Sequence, residues 1–215
     1  MNWQYITEIL PALLDGTKMT LSLFLLTLVL SIPLGLLVSV GLRSKYRPVR
    51  AVLKLYVWLM RGTPLLLQLI FVFYGLPIIH IVFERYSAAL FAFVINYGAY
   101  FAEIFRGGLQ SVDEGQSEAA QILGLRPWQI FRKIILPQVN KKVIPAMGNE
   151  VINLVKDSSL VYVIGLGDLL RAGNIAMARD VTLVPLLLVA VIYLLLTAAL
   201  TWGLRSAERH YNYYQ

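Results

Sequence analysis

Apolar residues in this chain come in runs of membrane length, separated by short polar and basic clusters. A hydrocarbon core about 30 Å thick needs roughly 20 apolar residues per helix. On that scale the sequence reads as five spans, at 17–42, 49–76, 87–107, 137–156 and 183–204. Pro33 and Gly35 lie inside the first, and the second is broken or loosened near Gly62-Thr63-Pro64. The first and last are lipid-compatible throughout. The third and fourth carry polar residues and are expected to face protein or water. Ahead of them, Trp3, Tyr5, Ile6, Ile9, Leu10 and Leu13 recur at helical spacing. That pattern predicts a short helix over 2–11 lying in the membrane interface, anchored by Trp3 and Tyr5. The expected fold is an all-α integral membrane protein, one domain over 1–215, with five transmembrane helices, a short N-terminal interfacial helix and cytoplasmic helices in the loop 108–136.

Composition agrees with the bilayer as solvent. Apolar residues make up 58% of the chain and charged residues 14%, against about 45–50% apolar in a soluble domain. The net charge is +7, but the basic residues fall between apolar runs and form no long stripe, which excludes nucleic-acid binding. There is no cysteine, hence no disulfide, thiolate nucleophile or thiolate metal site. Residues 1–15 have no basic n-region and are interrupted by Glu8, Pro11 and Asp15. The first apolar run is therefore expected to insert and stay.

Lysine and arginine set an orientation. With the N-terminus outside, the inner segments hold Arg43, Lys45, Arg47, Arg50, Lys54, Arg106, Arg126, Arg132, Lys133, Lys141, Lys142, Arg205 and Arg209. The outer segments hold Lys18, Arg85, Lys156, Arg171 and Arg179, and Arg61 falls within a span. This excess of inner cations predicts N-terminus outside and C-terminus in the cytoplasm.

Two connections are long enough to expect a job of them: about 108–136 inside and about 157–182 outside. The outer one is expected to form a short helix and loop. The inner one carries Ser117-Glu118-Ala119-Ala120-Gln121-Ile122-Leu123, good helix formers that end at Gly124. Glycine there can close a helix in the left-handed conformation. Pro127 sits where a second helix would begin, with Trp128, Ile130, Phe131 and Ile134 as its apolar face, and Pro137 marks the start of the fourth span. A helix, a tight turn and a helix on the inner face can dock a partner or merely cap two spans. The residues alone leave both readings open.

The spacing of that loop is more specific. Glu118-Ala119-Ala120, then Gly124, Ile134 and Leu136-Pro137 resemble the signature of ATP-binding-cassette importer permeases, complete in its spacing. Gly16-Thr17 with Thr20-Leu21, Arg61-Gly62-Thr63-Pro64-Leu65 with Gln68, residues 100–107, and Lys156-Asp157-Ser158-Ser159-Leu160 with Ile164-Gly165 are similar to the branch that imports polar amino acids. The likeness covers nearly the whole chain. It implies a type I importer core of five spans in a prokaryotic cytoplasmic (inner) membrane. It also implies separate ATPase subunits that hold ATP and Mg, a second permease subunit (the same chain or a sister), and an extracytoplasmic solute-binding protein. Glu118, Ala119, Ala120, Gly124, Arg126 and Trp128 would then form the ATPase-coupling surface.

Ionisable residues inside spans are expensive and point to function. Glu103 and Arg106 share a face of the third span; Glu150, Asn153 and Asp157 share one of the fourth, extended by Asn149. With Ser158 and Arg61 they are the candidate solute pathway. Carboxylates outnumber nearby cations, which favours cationic amino acids (arginine, lysine or histidine) over glutamine or glutamate. Glu103 and Arg106 could instead pair and lock the bundle. Catalysis by this chain is not expected: no phosphate loop, zinc motif or nucleophile elbow occurs, and His80 and His210 lie far apart. A membrane-embedded receptor or enzyme is the reading from a different class.

Overall fold

The computed structural model describes residues 3–211, the side chains of Ala207, Arg209, His210 and Tyr211 excepted. Asn2, expected in the interfacial helix, and the side chains of Arg209 and His210 therefore lie outside the described residues. Every regular element among those described is helical, as the apolar pattern predicts. In chain order they are α1 (Trp3–Leu42), α2 (Arg47–Gly62), α3 (Leu65–Ile70), α4 (Arg85–Gln110), α5 (Glu114–Ile122), α6 (Pro127–Ile130), α7 (Leu136–Asp157), α8 (Leu169–Asp180) and α9 (Val184–Tyr211).

Among the described residues, three helices, α1, α4 and α9, are long and apolar enough to cross a bilayer alone. Two bent pairs supply the remainder, giving five crossings if each pair is one span. The first pair is the predicted second span, but it is no straight rod. Its halves, Arg47–Gly62 and Leu65–Ile79, meet at 106°. The cause is local. Proline disfavours helical geometry in the residue before it, and Thr63, ahead of Pro64, is extended at φ −122°, ψ 147°.

The interfacial helix expected over 2–11 is not a separate element. It is the first part of α1, which runs 40 residues through Pro11 and Pro33 without a break. At ~1.5 Å per residue, such a helix outreaches the hydrocarbon core. Ile9 and Leu13 are buried with Leu169, Ala176 and Val189, so packing on α8 and α9, rather than the interface, holds this end. Gly16 makes the approach possible. A Cβ there would lie 2.9 Å from the Asp168 carbonyl oxygen and the Leu169 Cα. Thr20, one turn on, accepts the Leu169 N–H at 3.2 Å, and Tyr5 donates to Asp180 at 2.7 Å. The segment expected outside, 157–182, thus contains a helix clamped along α1, capped at its start by the buried Asp168 carboxylate, which accepts from Leu170 and Arg171 N–H.

The fourth span, predicted over 137–156, matches α7 (Leu136–Asp157), but the helix that carries it starts earlier. The second loop helix and the span are one continuous helix, with a π turn at Phe131–Ile135 between α6 and α7. A second π turn, Phe71–Gly75, follows α3. Each directly precedes a Leu-Pro pair. Proline has no N–H for the helical ladder. A wide turn just ahead of it, in which Leu76 donates to Phe71 O and Leu136 to Phe131 O, lets the helix continue.

The main core joins α1, α3, α4, α7 and the 3₁₀ turn Ser158–Ile164 around Phe93, Tyr97, Phe101 and Leu154. The third and fifth predicted spans are α4 and α9. Both run somewhat beyond the apolar windows 87–107 and 183–204.

Candidate functional site

The break between α2 and α3 is held open by a knot of side-chain amides. Gln68 donates to the Met60 carbonyl at 2.9 Å and to the Thr63 hydroxyl at 2.8 Å. Asn96, from α4, donates to the same Met60 carbonyl and to Gln68 Oε1, both at 3.0 Å. The carbonyls freed where α2 ends are thereby satisfied inside the protein, the condition under which irregular backbone survives at membrane depth. Gln68 and Asn96 are both buried.

Beside this knot lies a cavity of ≈ 410 Å³. Its walls are Thr63 to Leu66 from the break, Asn96, Tyr97 and Tyr100 from α4, and Glu150, Asn153, Asp157 and Leu160 from α7 and the turn after it. The i, i+3, i+7 stripe read from the sequence therefore faces one space. Tyr97 donates its hydroxyl to Asp157 Oδ2 at 2.7 Å, which fixes that carboxylate while leaving its other oxygen free of this bond. The site holds two carboxylates, two amides and two phenols on a largely apolar frame. That set suits a ligand carrying hydrogen-bond donors and positive charge.

Other predicted pathway residues fall elsewhere. Glu103 lies off this cavity, on a second groove of ≈ 900 Å³ formed by the end of α1, α2 and α4. There Arg106 grips it with two nitrogens, Nε at 2.9 Å and Nη2. One helical turn separates the two residues, so the pair lies within α4 and by itself ties no second helix to it. Arg61 lines the same groove. Its Nη1 lies 3.8 Å from Glu103, and its guanidinium stacks 5.4 Å above the ring of Tyr100. Since Tyr100 lines the cavity, Arg61 and Tyr100 form the partition between the two spaces. Ser158 is fully buried and donates to the Val155 carbonyl at 2.7 Å; it begins the 3₁₀ turn instead of facing solute. Asn149 is exposed and off the cavity wall, because it lies one residue around the helix from Glu150.

Asn96, Tyr97 and Tyr100 are not among the candidates read from the sequence, whereas Thr63 belongs to the break already noted there. A signal was available: Asn96 is a lone amide in an otherwise apolar stretch of α4, and Tyr97 and Tyr100 continue its face toward Glu103.

On the loop, Asp113 caps α5 by accepting the Gly115 N–H at 2.7 Å. Gly124 ends the helix at φ 77°, with its N–H on Gln121 O and that of Leu125 on Ala120 O. These are the bonds of a left-handed glycine cap. Gln129 Oε1 accepts the Arg126 N–H at 2.9 Å, and Gln138 ties α5 to α7 through Gln116 at 2.6 Å. Ala120 is buried, while Glu118, Ala119 and Arg126 are exposed. Trp128 stacks on Phe131 at 5.9 Å yet keeps 66% of its surface exposed. Ile122 and Leu123, which the sequence reading did not single out, are 87% and 80% exposed. With Trp128 they make an apolar surface on a rigid mount.

The family model for binding-protein-dependent transport system inner membrane components matches residues 31–213. The arginine transport system permease protein ArtQ of Bacillus subtilis (strain 168) is 37% identical over 202 residues, 93% of this chain and 92% of that one. The glutamine transport system permease protein GlnP of Escherichia coli (strain K12) is 35% identical over 211 residues, 97% and 96% of the two chains. Among solved structures, an amino acid ABC transporter with histidines superposes with a TM-score of 0.90 at 34% identity, covering 98% of this chain and 99% of that one. An inward-facing MetNI methionine transporter shares the fold at a TM-score of 0.73 and 19% identity over 98% and 99%.

Proposed function

The chain belongs to the family of binding-protein-dependent transport system inner membrane components, and we propose that its cavity carries cationic amino acids. It is a non-catalytic permease subunit of an ATP-driven importer, with ATP hydrolysed by a partner. Its cargo reading rests on one observation: Glu150 and Asp157 share a cavity whose lining, among the described residues, includes no Lys or Arg, with Arg61 set behind Tyr100. Two carboxylates, one held in place by Tyr97, complement an ammonium or guanidinium group on a cargo side chain. The B. subtilis relative named for arginine supports this assignment. Relatives named for glutamine support the other reading, in which Asn153 and Asn96 serve an amide cargo.

The remaining assignments follow from the same framework. The exposed surface of Ile122, Leu123 and Trp128, with Glu118, Ala119, Ala120, Gly124 and Arg126 shaping its mount, receives the ATPase subunit. ATP and Mg stay on that subunit, and this chain needs no cofactor of its own. A second permease subunit, the same chain or a sister, completes the pathway, and a solute-binding protein delivers cargo at the opposite face. The excess of Lys and Arg around 43–54 and 126–142 supports a cytoplasmic side for those segments and an outer N-terminus.

Competition uptake tests the cargo. The assembled transporter, reconstituted with its binding protein, should take up labelled arginine and lose that uptake to lysine or histidine but not to glutamate. Stronger competition by glutamine than by lysine would replace the cationic reading with the amide one. Unchanged arginine uptake in both Glu150→Gln and Asp157→Asn would remove the cavity from the cargo route.

A further inference from the structure

The geometry points to a binding site for the headgroup of an anionic phospholipid in the groove between the end of α1, α2 and the C-terminal half of α4. This space of ≈ 900 Å³ is lined by Arg43, Arg50, Lys54, Arg61 and Arg106, against the single carboxylate of Glu103. That carboxylate is already engaged by Arg106 from both of its oxygens. Arg43, Arg50 and Lys54 form no ion pair among the described residues. Cations gathered at a bilayer edge without a counter-ion repel one another. A phosphate in the groove supplies the missing charge, and basic pockets between transmembrane helices are where acidic headgroups bind.

The form of α2 names lipid as the source of that phosphate. Sixteen residues carry three faces. Leu53, Tyr56, Val57 and Met60 pack on α1 and α4. Arg47, Arg50, Lys54 and Arg61 fall on a second face by helical spacing. Val52, Leu55 and Leu59 form a third, exposed by 65%, 60% and 45%. Trp58 lines the groove yet is 70% exposed, an indole placed as at a membrane–water boundary. A phospholipid brings a phosphate for the basic face and acyl chains for the apolar one in a single molecule. Free phosphate satisfies only the first. The groove is also distinct from the cargo cavity, since Arg61 and Tyr100 stand between them, so the site does not depend on the cargo reading.

Native mass spectrometry of the assembled transporter, released from nanodiscs of phosphatidylcholine doped with phosphatidylglycerol, tests the site. The parent protein should retain phosphatidylglycerol selectively. Lys54→Gln should weaken retention about fivefold, and the triple change Arg43→Gln, Arg50→Gln, Lys54→Gln on the order of 100-fold. Lys54→Arg should restore it. Lys133→Gln with Lys142→Gln, which removes charge beyond the groove, should leave it unchanged. Equal retention by the parent and both Gln variants overturns the assignment. Two further outcomes do so as well: displacement of the lipid by equimolar inorganic phosphate, which marks a general anion site, and a photo-crosslink from position 50 to a second copy, which marks a subunit interface.

Discussion

The proposed cargo cavity and the basic groove follow one another along the same helix and carry opposite charge. Tyr97 and Tyr100 of α4 line the cavity, and Glu103, Arg106 and Gln110, further along α4 and turned around it, line the groove. What differs is how each carboxylate is held. Asp157 takes a neutral phenol as partner and keeps its charge uncompensated. Glu103 takes a guanidinium at both oxygens and is spent on structure. An acidic residue in a span is therefore no measure of a cation site by itself; the partner decides. The neutral partner leaves a field for a cation to enter, whereas the charged partner removes it.

The largest test removes the field. Asp157→Asn and Glu150→Gln each leave a cationic cargo group opposite an amide in a partly dry site. Loss of one partner of such a charge pair costs about 3 kcal/mol, roughly 100-fold in affinity. Arginine uptake by the reconstituted importer should fall by that order in either variant. Glu103→Gln should instead leave cargo affinity within about threefold, since its charge is already met. Equal losses for Glu103→Gln and Asp157→Asn would dissolve the contrast between the two spaces.

Next in size is the amide knot beside the cavity. Asn96→Leu leaves Gln68 Oε1 without this donor and takes one of two donors from the Met60 carbonyl, at about 1–3 kcal/mol for a group buried this deeply. The α2–α3 break should loosen. The expected outcome is a lower unfolding temperature and weaker arginine uptake, with phosphatidylglycerol retention preserved, because the groove cations are in the turn after α1, on α2 and at the far end of α4. Simultaneous loss of lipid and cargo would show that the two spaces are coupled through the knot.

Much of this was legible in the sequence, and the misses share a cause. Periodicity and run length located the spans, because hydrocarbon thickness leaves few alternatives. The loop 108–136 was read as helix, glycine turn and helix, since Gly124 and Pro127 have narrow conformational uses. The N-terminal helix was misjudged because Pro11 and Asp15 look like breakers in one dimension. The packing of Ile9 and Leu13 on α8, which overrides them, is a long-range contact. Pro137 was taken as a boundary for the same reason; the π turn that carries the helix past it has no simple residue signature. In the site, the stripe Glu150, Asn153 and Asp157 was visible because one helix sets its register. Which residues of α4 face it depends on how α4 is rotated against α7. Glu103 was assigned to the wrong space and Tyr97 overlooked on that account.

A smaller effect tests the loop against the cavity. At φ 77°, Gly124 takes a conformation that costs an L-residue roughly 1–2 kcal/mol. Gly124→Ala should therefore reorient Leu125 and the start of α6 while leaving the cavity intact. Co-purification of the ATPase should fall while arginine binding to the permease stays constant. Loss of arginine binding with the ATPase retained would reverse the proposed division between the two regions.

The finest test is Tyr97→Phe, which deletes one hydrogen bond and keeps the ring. Tyr97 is 2% exposed, and its phenyl group is part of the core around Phe93 and Phe101, so packing should survive. What disappears is the donor that orients Asp157. A donor to a charged carboxylate contributes about 1.5 kcal/mol at the low end, so arginine affinity should fall roughly tenfold with little change in unfolding temperature. The sign discriminates between two roles for the phenol. If the bond mainly orients the carboxylate toward cargo, affinity drops. If it mainly occupies an acceptor that cargo would otherwise use, Phe frees that oxygen and affinity rises. A rise would mean that Tyr97 weakens the cation field much as Arg106 cancels that of Glu103, and the contrast between cavity and groove would then be one of degree.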